Sequence, residues 1–153
     1  MIYASINHDG DVESKGYVLL VASDGDEIEL TRRVYREVGI RQPLFVAGKG
    51  EDALRLLEDH PNIALVLLAL RLPGVSGLEV LEGIRARPNF RTVPIVVFAS
   101  DEGPDIVEKA YKLGANSCLN IPVAYEEFTV TLAKAFEYWL VVNHAPAPDL
   151  YVS

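Results

Sequence analysis

The amino-acid sequence predicts an α/β domain in which five parallel strands form one sheet with helices on both faces, a doubly wound (βα)5 three-layer sandwich. The first observation is that its short hydrophobic runs, such as Tyr17–Ala22 and Ile63–Ala69, are apolar throughout instead of alternating. Strands of that kind are buried on both faces, as in parallel sheets covered by helices. The second is that a helical pattern follows each run, which gives five β-α units. Five such units favour the strand order 2-1-3-4-5.

Turn and cap residues divide the chain into these units. The first helix begins after Asp24, a capping candidate that acids follow, and Gly39 ends it. The third helix begins with the capping box Ser76–Glu79, and Pro104 opens the fourth. The other elements are predicted as strands at 44–47, 94–99 and 116–120 and helices at 50–60, 104–114 and 125–142. Residues 1–16 are predicted to be a flexible polar arm, 17–143 the domain and 144–153 a Pro/Ala-rich tail.

The composition of the chain argues against several classes of protein function. The 153 residues carry a formal charge of −8 with a pI near 4.8, which argues against binding to nucleic acid. Cys118 is the only cysteine, so no disulfide can form within the chain, and we expect a cytoplasmic location. The sequence contains no signal-peptide pattern and no apolar run long enough to span a membrane. It also lacks nucleotide-binding loops, zinc motifs and nucleophile-base pairs, so we predict no cofactor, no metal and no enzymatic activity.

Four segments at the predicted strand ends resemble one family in combination. They read LLVAS (19–23), LLALRLPGVSGLEVL (67–81), VPIVVFAS (93–100) and GANSCLNIPV (114–123). Together they resemble the receiver domain of two-component response regulators, over roughly residues 17–142. The resemblance implies the flavodoxin-like receiver fold and a role in signal transduction.

The resemblance also implies a phosphoryl-transfer site, and this sequence departs from it. A receiver of this family accepts a phosphoryl group on an aspartate that ends the third strand. Two acids after the first strand hold Mg²⁺, and a hydroxyl on the fourth strand and a lysine after the fifth hold the phosphoryl group. The matching positions here are the acidic pair at Ala22 and Ser23, the aspartate at Ala69, the hydroxyl at Ala99 and the lysine at Ile121.

These five replacements are chemically coherent. Loss of the aspartate alone would leave unpaired charges in one cleft, which costs several kcal/mol. Replacing the whole set removes that cost. We therefore interpret the chain as a degenerate receiver that cannot be phosphorylated at the usual position. One alternative stays open, in which Asp24 or Asp101 with Mg²⁺ forms a non-standard acceptor. In another, Arg71 pairs with a nearby acid and replaces cation and phosphate together.

Hydrophobic residues outside the core positions indicate a partner surface. On the fifth helix, Phe128, Leu132 and Phe136 form the core stripe, while other apolar residues lie off it. In the family that the chain resembles, the fourth helix, fifth strand and fifth helix form a usual dimer and partner surface. The candidate residues for this surface are Val107, Tyr111, Cys118, Val130, Tyr138, Val141 and Val142. Docking of the chain's own tail on the fifth helix is the alternative.

The functional prediction is a stand-alone receiver that acts by protein-protein interaction in signal transduction. The expected partner is a histidine kinase, another response regulator or a second copy of the chain as a homodimer. We expect neither nucleic acid nor membrane as a partner. A rival reading is a small-molecule sensor, because the emptied cleft between the strand ends is lined by apolar groups.

Overall fold

A computed structural model of the chain describes residues 16–99, 103–121 and 124–143, without the side chain of Tyr125. Its five strands form one parallel sheet in the order β2-β1-β3-β4-β5, which confirms the predicted fold class and strand order. The strands are β1 (Tyr17–Val21), β2 (Leu44–Ala47), β3 (Ile63–Ala69), β4 (Ile95–Ala99) and β5 (Ser117–Asn120).

One helix follows each strand. The helices are α1 (Gly25–Val38), α2 (Gly50–Asp59), α3 (Gly77–Arg85), α4 (Pro104–Lys112) and α5 (Tyr125–Glu137). A short 3₁₀ turn (Pro88–Phe90) lies between α3 and β4, and a wider π-helical turn (Tyr138–Val142) continues α5. No described helix is long and apolar enough to cross a membrane.

Two hydrophobic cores cover the two faces of the sheet. Successive residues of a strand point to opposite faces, so Leu19 of β1 enters one core and Leu20 enters the other. The first core packs under α2, α3 and α4, and the second packs under α1 and α5. β1, β3 and β4 are buried along almost their whole length, which is why their sequences are apolar throughout.

The structure differs from the prediction at the ends of several elements. The helix predicted to reach residue 114 ends at Lys112, because Gly114 takes up a φ of 112° and its N–H donates to the carbonyl of Tyr111. The α-helical part of α5 ends at Glu137 instead of residue 142, since the N–H of Asn143 bonds back to the Tyr138 carbonyl across five residues.

Several predictions lie outside the described residues. The N-terminal arm before Gly16 and the tail from residue 144 onward belong to this group, so their roles stay predictions.

Candidate functional site

The structure places the five positions singled out in the sequence at the carboxyl edge of the sheet. Ala22 and Ser23 follow β1, Ala69 and Ala99 are the last residues of β3 and β4, and Ile121 follows β5. Hydrogen bonds tie neighbouring ends together: the N–H of Ile121 donates to the carbonyl of Ala99 at 2.8 Å. Two of these positions are alanines that end a strand, and the other three directly follow a strand. None of the five side chains carries a carboxylate or an ammonium group.

Most of these side chains have become part of the hydrophobic cores. Ala22, Ala69 and Ala99 are only 0, 6 and 7% exposed. Ala22 and Ala69 belong to the core under α1 and α5, which partly buried Ile121 also contacts, whereas Ala99 belongs to the core under α2, α3 and α4. Ser23 alone of the five is exposed. The cores thus extend to the carboxyl edge of the sheet at the central strands.

The start of α3 closes over the end of β3. The N–H of Gly77 donates to the carbonyl of Leu70 at 2.9 Å. A Cβ on Gly77 would overlap the Ala69 carbonyl oxygen and would lie 2.6 Å from the Leu70 Cα. Residue 77, three positions after Gly74 of the Pro-Gly turn, must therefore be glycine for this close approach. Ser76 caps α3 by accepting a hydrogen bond from the Glu79 N–H, as the sequence predicted.

The acids after β1 serve the first helix. One carboxylate oxygen of Asp24 accepts hydrogen bonds from the N–H groups of Asp26, at 2.8 Å, and Glu27, at 3.2 Å. The predicted capping role of Asp24 is confirmed. Glu27 is half-buried in this turn, and burial, with the negative charge of Asp24 as a second cause, raises the pKa of its carboxyl.

Within the described span, no three His, Cys, Asp or Glu side chains come close enough together to hold a metal ion. Asp101 and Glu102, which could join Asp24 at this edge, lie outside that span. The non-standard acceptor and the pairing of Arg71 with an acid therefore both stay predictions.

The structure joins two members of the candidate partner surface directly. The backbone N–H of Cys118, on the edge strand β5, donates to the hydroxyl of Tyr111 on α4 at 3.1 Å. Tyr111 is 47% exposed, and Val107 on the same helix is half-buried. The tyrosine therefore covers part of an otherwise open sheet edge. Cys118 is itself partly exposed, because β5 has a neighbouring strand on one side only.

The other members of the surface are exposed along α5 and its terminal turn. Val130 lies on the helix, and Tyr138, Val141 and Val142 lie in the π-helical turn, where the rings of Tyr138 and Trp139 meet edge to face. The exposed fractions of the two turn valines are 70 and 68%. Because α5 runs antiparallel to the strands, this turn lies at the amino edge of the sheet, away from the degenerate positions. The structure shows no contact between these four residues and Tyr111 among the bonds and ring contacts it describes.

Sequence reasoning missed Arg85 as a residue with a specific role. Its Nε donates to the carbonyl of Gly114 at 2.9 Å, and one Nη donates to the Phe90 carbonyl at 2.7 Å. The other Nη donates to Oδ1 of Asn116 at 2.8 Å, an oxygen that also accepts from the Ile95 N–H. Burial lowers the pKa of this guanidinium. No local sequence pattern distinguishes this role from that of a favourable charge at a helix C-terminus.

The fold and the strand ends together define a class of protein. The chain matches the family model described as the response regulator receiver domain over residues 18–133. It is 33% identical over 147 residues to the probable methanogenesis regulatory protein FilR2 of Methanothrix harundinacea, which covers 91% of this chain and 95% of FilR2. It is also 27% identical over 136 residues to the response regulator Rcp1 of Synechocystis, covering 85% and 92% of the two chains. The chain therefore belongs to the response regulator receiver domain family.

Solved structures agree with this assignment. The Mn²⁺-bound form of Rcp1 superposes with a TM-score of 0.79 at 26% identity, covering 86% of this chain and 99% of Rcp1. A response regulator from Hahella chejuensis gives a TM-score of 0.79 at 28% identity, with the same coverage. Receiver domains are signalling modules, so the predicted role in two-component signal transduction is confirmed at that level.

Proposed function

We propose that this chain is a receiver that is not phosphorylated and signals through a protein-protein contact. The observation that carries the proposal is Ala69 at the end of β3, the position at which the family places its phosphoacceptor. The methyl group of Ala69 cannot accept a phosphoryl group, and the side chain is almost fully buried. The regulatory role in the name of FilR2 agrees with a signalling function, and we place the protein in the cytoplasm.

The surroundings of Ala69 support the loss of the whole site. Mg²⁺ needs oxygen ligands, which the side chain of Ala22 cannot supply and which the side chain of Ser23 supplies only as a neutral hydroxyl. A developing phosphate charge needs a cation, which Ile121 does not provide. Burial of Ala22, Ala69 and Ala99 also leaves little open apolar surface at the strand ends. This burial favours a protein contact over the small-molecule sensor.

The surface used for contact is formed by the exposed apolar residues of α4, β5 and α5. Tyr111, Val130 and Tyr138 are each about half exposed, at 47, 52 and 49%. Large apolar groups in such positions are enriched where proteins bind one another. Because the usual phosphorylation switch is lost, we expect the affinity of this surface to be independent of a phosphodonor.

A binding assay tests this proposal. The wild-type chain would be immobilised and titrated with purified histidine kinases, receivers from the same organism and further copies of itself, each with and without acetyl phosphate and Mg²⁺. We expect one of these partners to bind equally under both conditions. Tyr111→Glu or Val130→Glu should weaken binding roughly tenfold or more, because a charge would be buried at the contact.

Glu51→Lys on α2 is the matched control, since Glu51 is exposed and lies on an element outside the proposed surface. It changes the net charge by +2, against −1 in either test variant, and should leave the affinity unchanged. Binding that appears only after treatment of this chain with the phosphodonor would contradict the proposal. So would binding that the Tyr111 and Val130 variants leave intact.

A further inference from the structure

Arg85 makes hydrogen bonds to three parts of the fold. Its guanidinium sits between the end of α3, the 3₁₀ turn and the loop that joins α4 to β5. All its described acceptors are carbonyl or amide oxygens, including a longer contact of 3.3 Å to the Arg91 carbonyl. A planar group with five fixed donors suits such a junction, whereas a single ammonium group does not.

Gly114 is hydrogen-bonded both to Arg85 and to Tyr111. The carbonyl of Gly114 accepts from Arg85, and the N–H of the same glycine donates to the carbonyl of Tyr111 at 3.0 Å. A Cβ on Gly114 would lie 2.8 Å from the Arg85 Cγ, so the guanidinium stem packs tightly against this turn. Arg85 therefore contacts the turn that ends α4.

Asn116, which also bonds to Arg85, directly precedes β5. Oδ1 of Asn116 accepts from both Arg85 and the Ile95 N–H, each at 2.8 Å, and the N–H of Asn116 donates to the Ile95 carbonyl at 2.9 Å. This pair of bonds fixes where β5 begins beside β4. Cys118, whose N–H reaches the Tyr111 hydroxyl, lies two residues further along the chain.

We propose that Arg85 is a positioning residue that sets the Tyr111 hydroxyl on the Cys118 N–H and so holds α4 in register with β5. The use of this register as part of a partner surface rests on the proposed function. The coupling itself is a property of the isolated protein. In a receiver without phosphorylation, such a fixed junction would keep α4 in one position for a partner to recognise.

Amide hydrogen exchange of Cys118, measured by NMR on the protein alone, tests the coupling. Tyr111→Phe removes the acceptor, and we expect Cys118 exchange to accelerate about five- to tenfold, the effect of losing one hydrogen bond. Arg85→Gln should accelerate the same amide to a similar extent. The double variant should accelerate it no further, because both changes break one contact.

Arg87→Gln is the control, since Arg87 lies beside Arg85 in sequence but donates to Gly83 and Glu58 on α3 and α2. It should leave the exchange of Cys118 unchanged. Amides at the centre of β3, such as that of Leu67, report global opening, so in the Arg85 variant they should accelerate less than the amide of Cys118. If Arg85→Gln fails to fold, Arg85→Lys carries the test, because one ammonium group cannot reach Gly114, Phe90 and Asn116 together.

Additive effects in the double variant would overturn the inference, as would equal acceleration at Cys118 and Leu67. Unchanged Cys118 exchange in the Arg85 variant would overturn it too. The assay contains neither partner nor phosphodonor, so its failure is distinct from failure of the proposed function. A phosphoryl adduct on the chain would refute that function and leave the coupling untouched.

Discussion

Gly77 packs against the backbone of Ala69, so that the first turn of α3 seals the end of β3. A Cβ at position 77 would overlap the Ala69 carbonyl oxygen. The methyl group of Ala69 faces the core under α1 and α5 at this same point. The two residues together make the end of the central strand a packed part of the fold.

Gly77→Ala should destabilise the protein by about 2 kcal/mol or more, because the atoms that the new methyl group meets belong to backbone and cannot move aside easily. Urea denaturation would measure the change in the free energy of unfolding. Gly25→Ala is the matched control: Gly25 begins α1, and a Cβ there would meet no heavy atom within 4 Å. This control should be neutral or slightly stabilising. Equal midpoints for the two variants would contradict the packing described here.

Ala69→Asp should destabilise the protein by about 3 kcal/mol at pH 8, because it buries a carboxylate with no cation at Ala22, Ser23 or Ile121 to pair with it. Burial would raise the pKa of the introduced carboxyl in the folded state. Its proton is then bound more tightly in the folded protein, so the penalty should shrink as the pH falls below the carboxyl's folded-state pKa.

Thermal unfolding from pH 4 to 8 checks this prediction. The control is Ala124→Asp, at the exposed N-cap of α5, where a carboxylate is favourable. If the Ala69 variant loses no stability relative to wild type at pH 8, the strand end has room and counter-charge that the structure does not reveal.

Two buried tyrosines should make the protein lose stability at alkaline pH. The hydroxyl of Tyr17 donates to the His60 carbonyl and that of Tyr35 to the Gln42 carbonyl, each at 2.6 Å. Burial raises the pKa of both phenols well above their ordinary value near 10. The unfolded chain therefore releases these protons first, and the stability present below pH 10 is lost as the pH rises above it.

The double variant Tyr17→Phe, Tyr35→Phe should flatten this decline, measured as urea midpoints from pH 8 to 11. Tyr138→Phe, which changes a half-exposed tyrosine outside the cores, should keep the wild-type slope. A slope that is the same in all three proteins would show that other groups cause the alkaline loss.

Asp24→Ala should cost about 1 kcal/mol, since it removes the acceptor for two N–H groups at the start of α1. Asp24→Asn keeps an oxygen acceptor and should lose only part of that stability. The same pair of variants addresses the non-standard acceptor. If Mg²⁺ stabilises the wild type but not the asparagine variant in thermal unfolding, Asp24 binds metal as well as capping the helix.

The sheet could be predicted from the sequence because its buried strands consist almost entirely of apolar residues. Runs such as Ile95–Ala99 are apolar on both faces, and caps such as Asp24 and Ser76 mark helix starts locally. The positions of Ala69 and Ala99 at strand ends followed from the same pattern. These features depend on short stretches of chain, which sequence reasoning can examine directly.

Contacts between distant segments could not be predicted in the same way. Arg85 and Gly114 lie 29 residues apart, and nothing around either one identifies the other as its partner. Hydrophobicity and the resemblance to the receiver family grouped Val130 and Tyr138 with Tyr111, whereas the hydrogen bonds of the described residues join Tyr111 to Cys118 and not to those two residues. The change to a π-helical turn at Tyr138 was also missed, because the apolar spacing of α5 continues through it.

Intact-mass spectrometry after incubation with acetyl phosphate and Mg²⁺ tests the central claim most directly. A receiver that retains its aspartate serves as the positive control under the same conditions and should gain one phosphoryl group. For this chain we predict an unchanged mass, because no acceptor stands at Ala69 and neither metal nor lysine position retains its chemistry. A phosphoryl adduct of comparable yield would contradict the account and would place a working acceptor elsewhere in the chain.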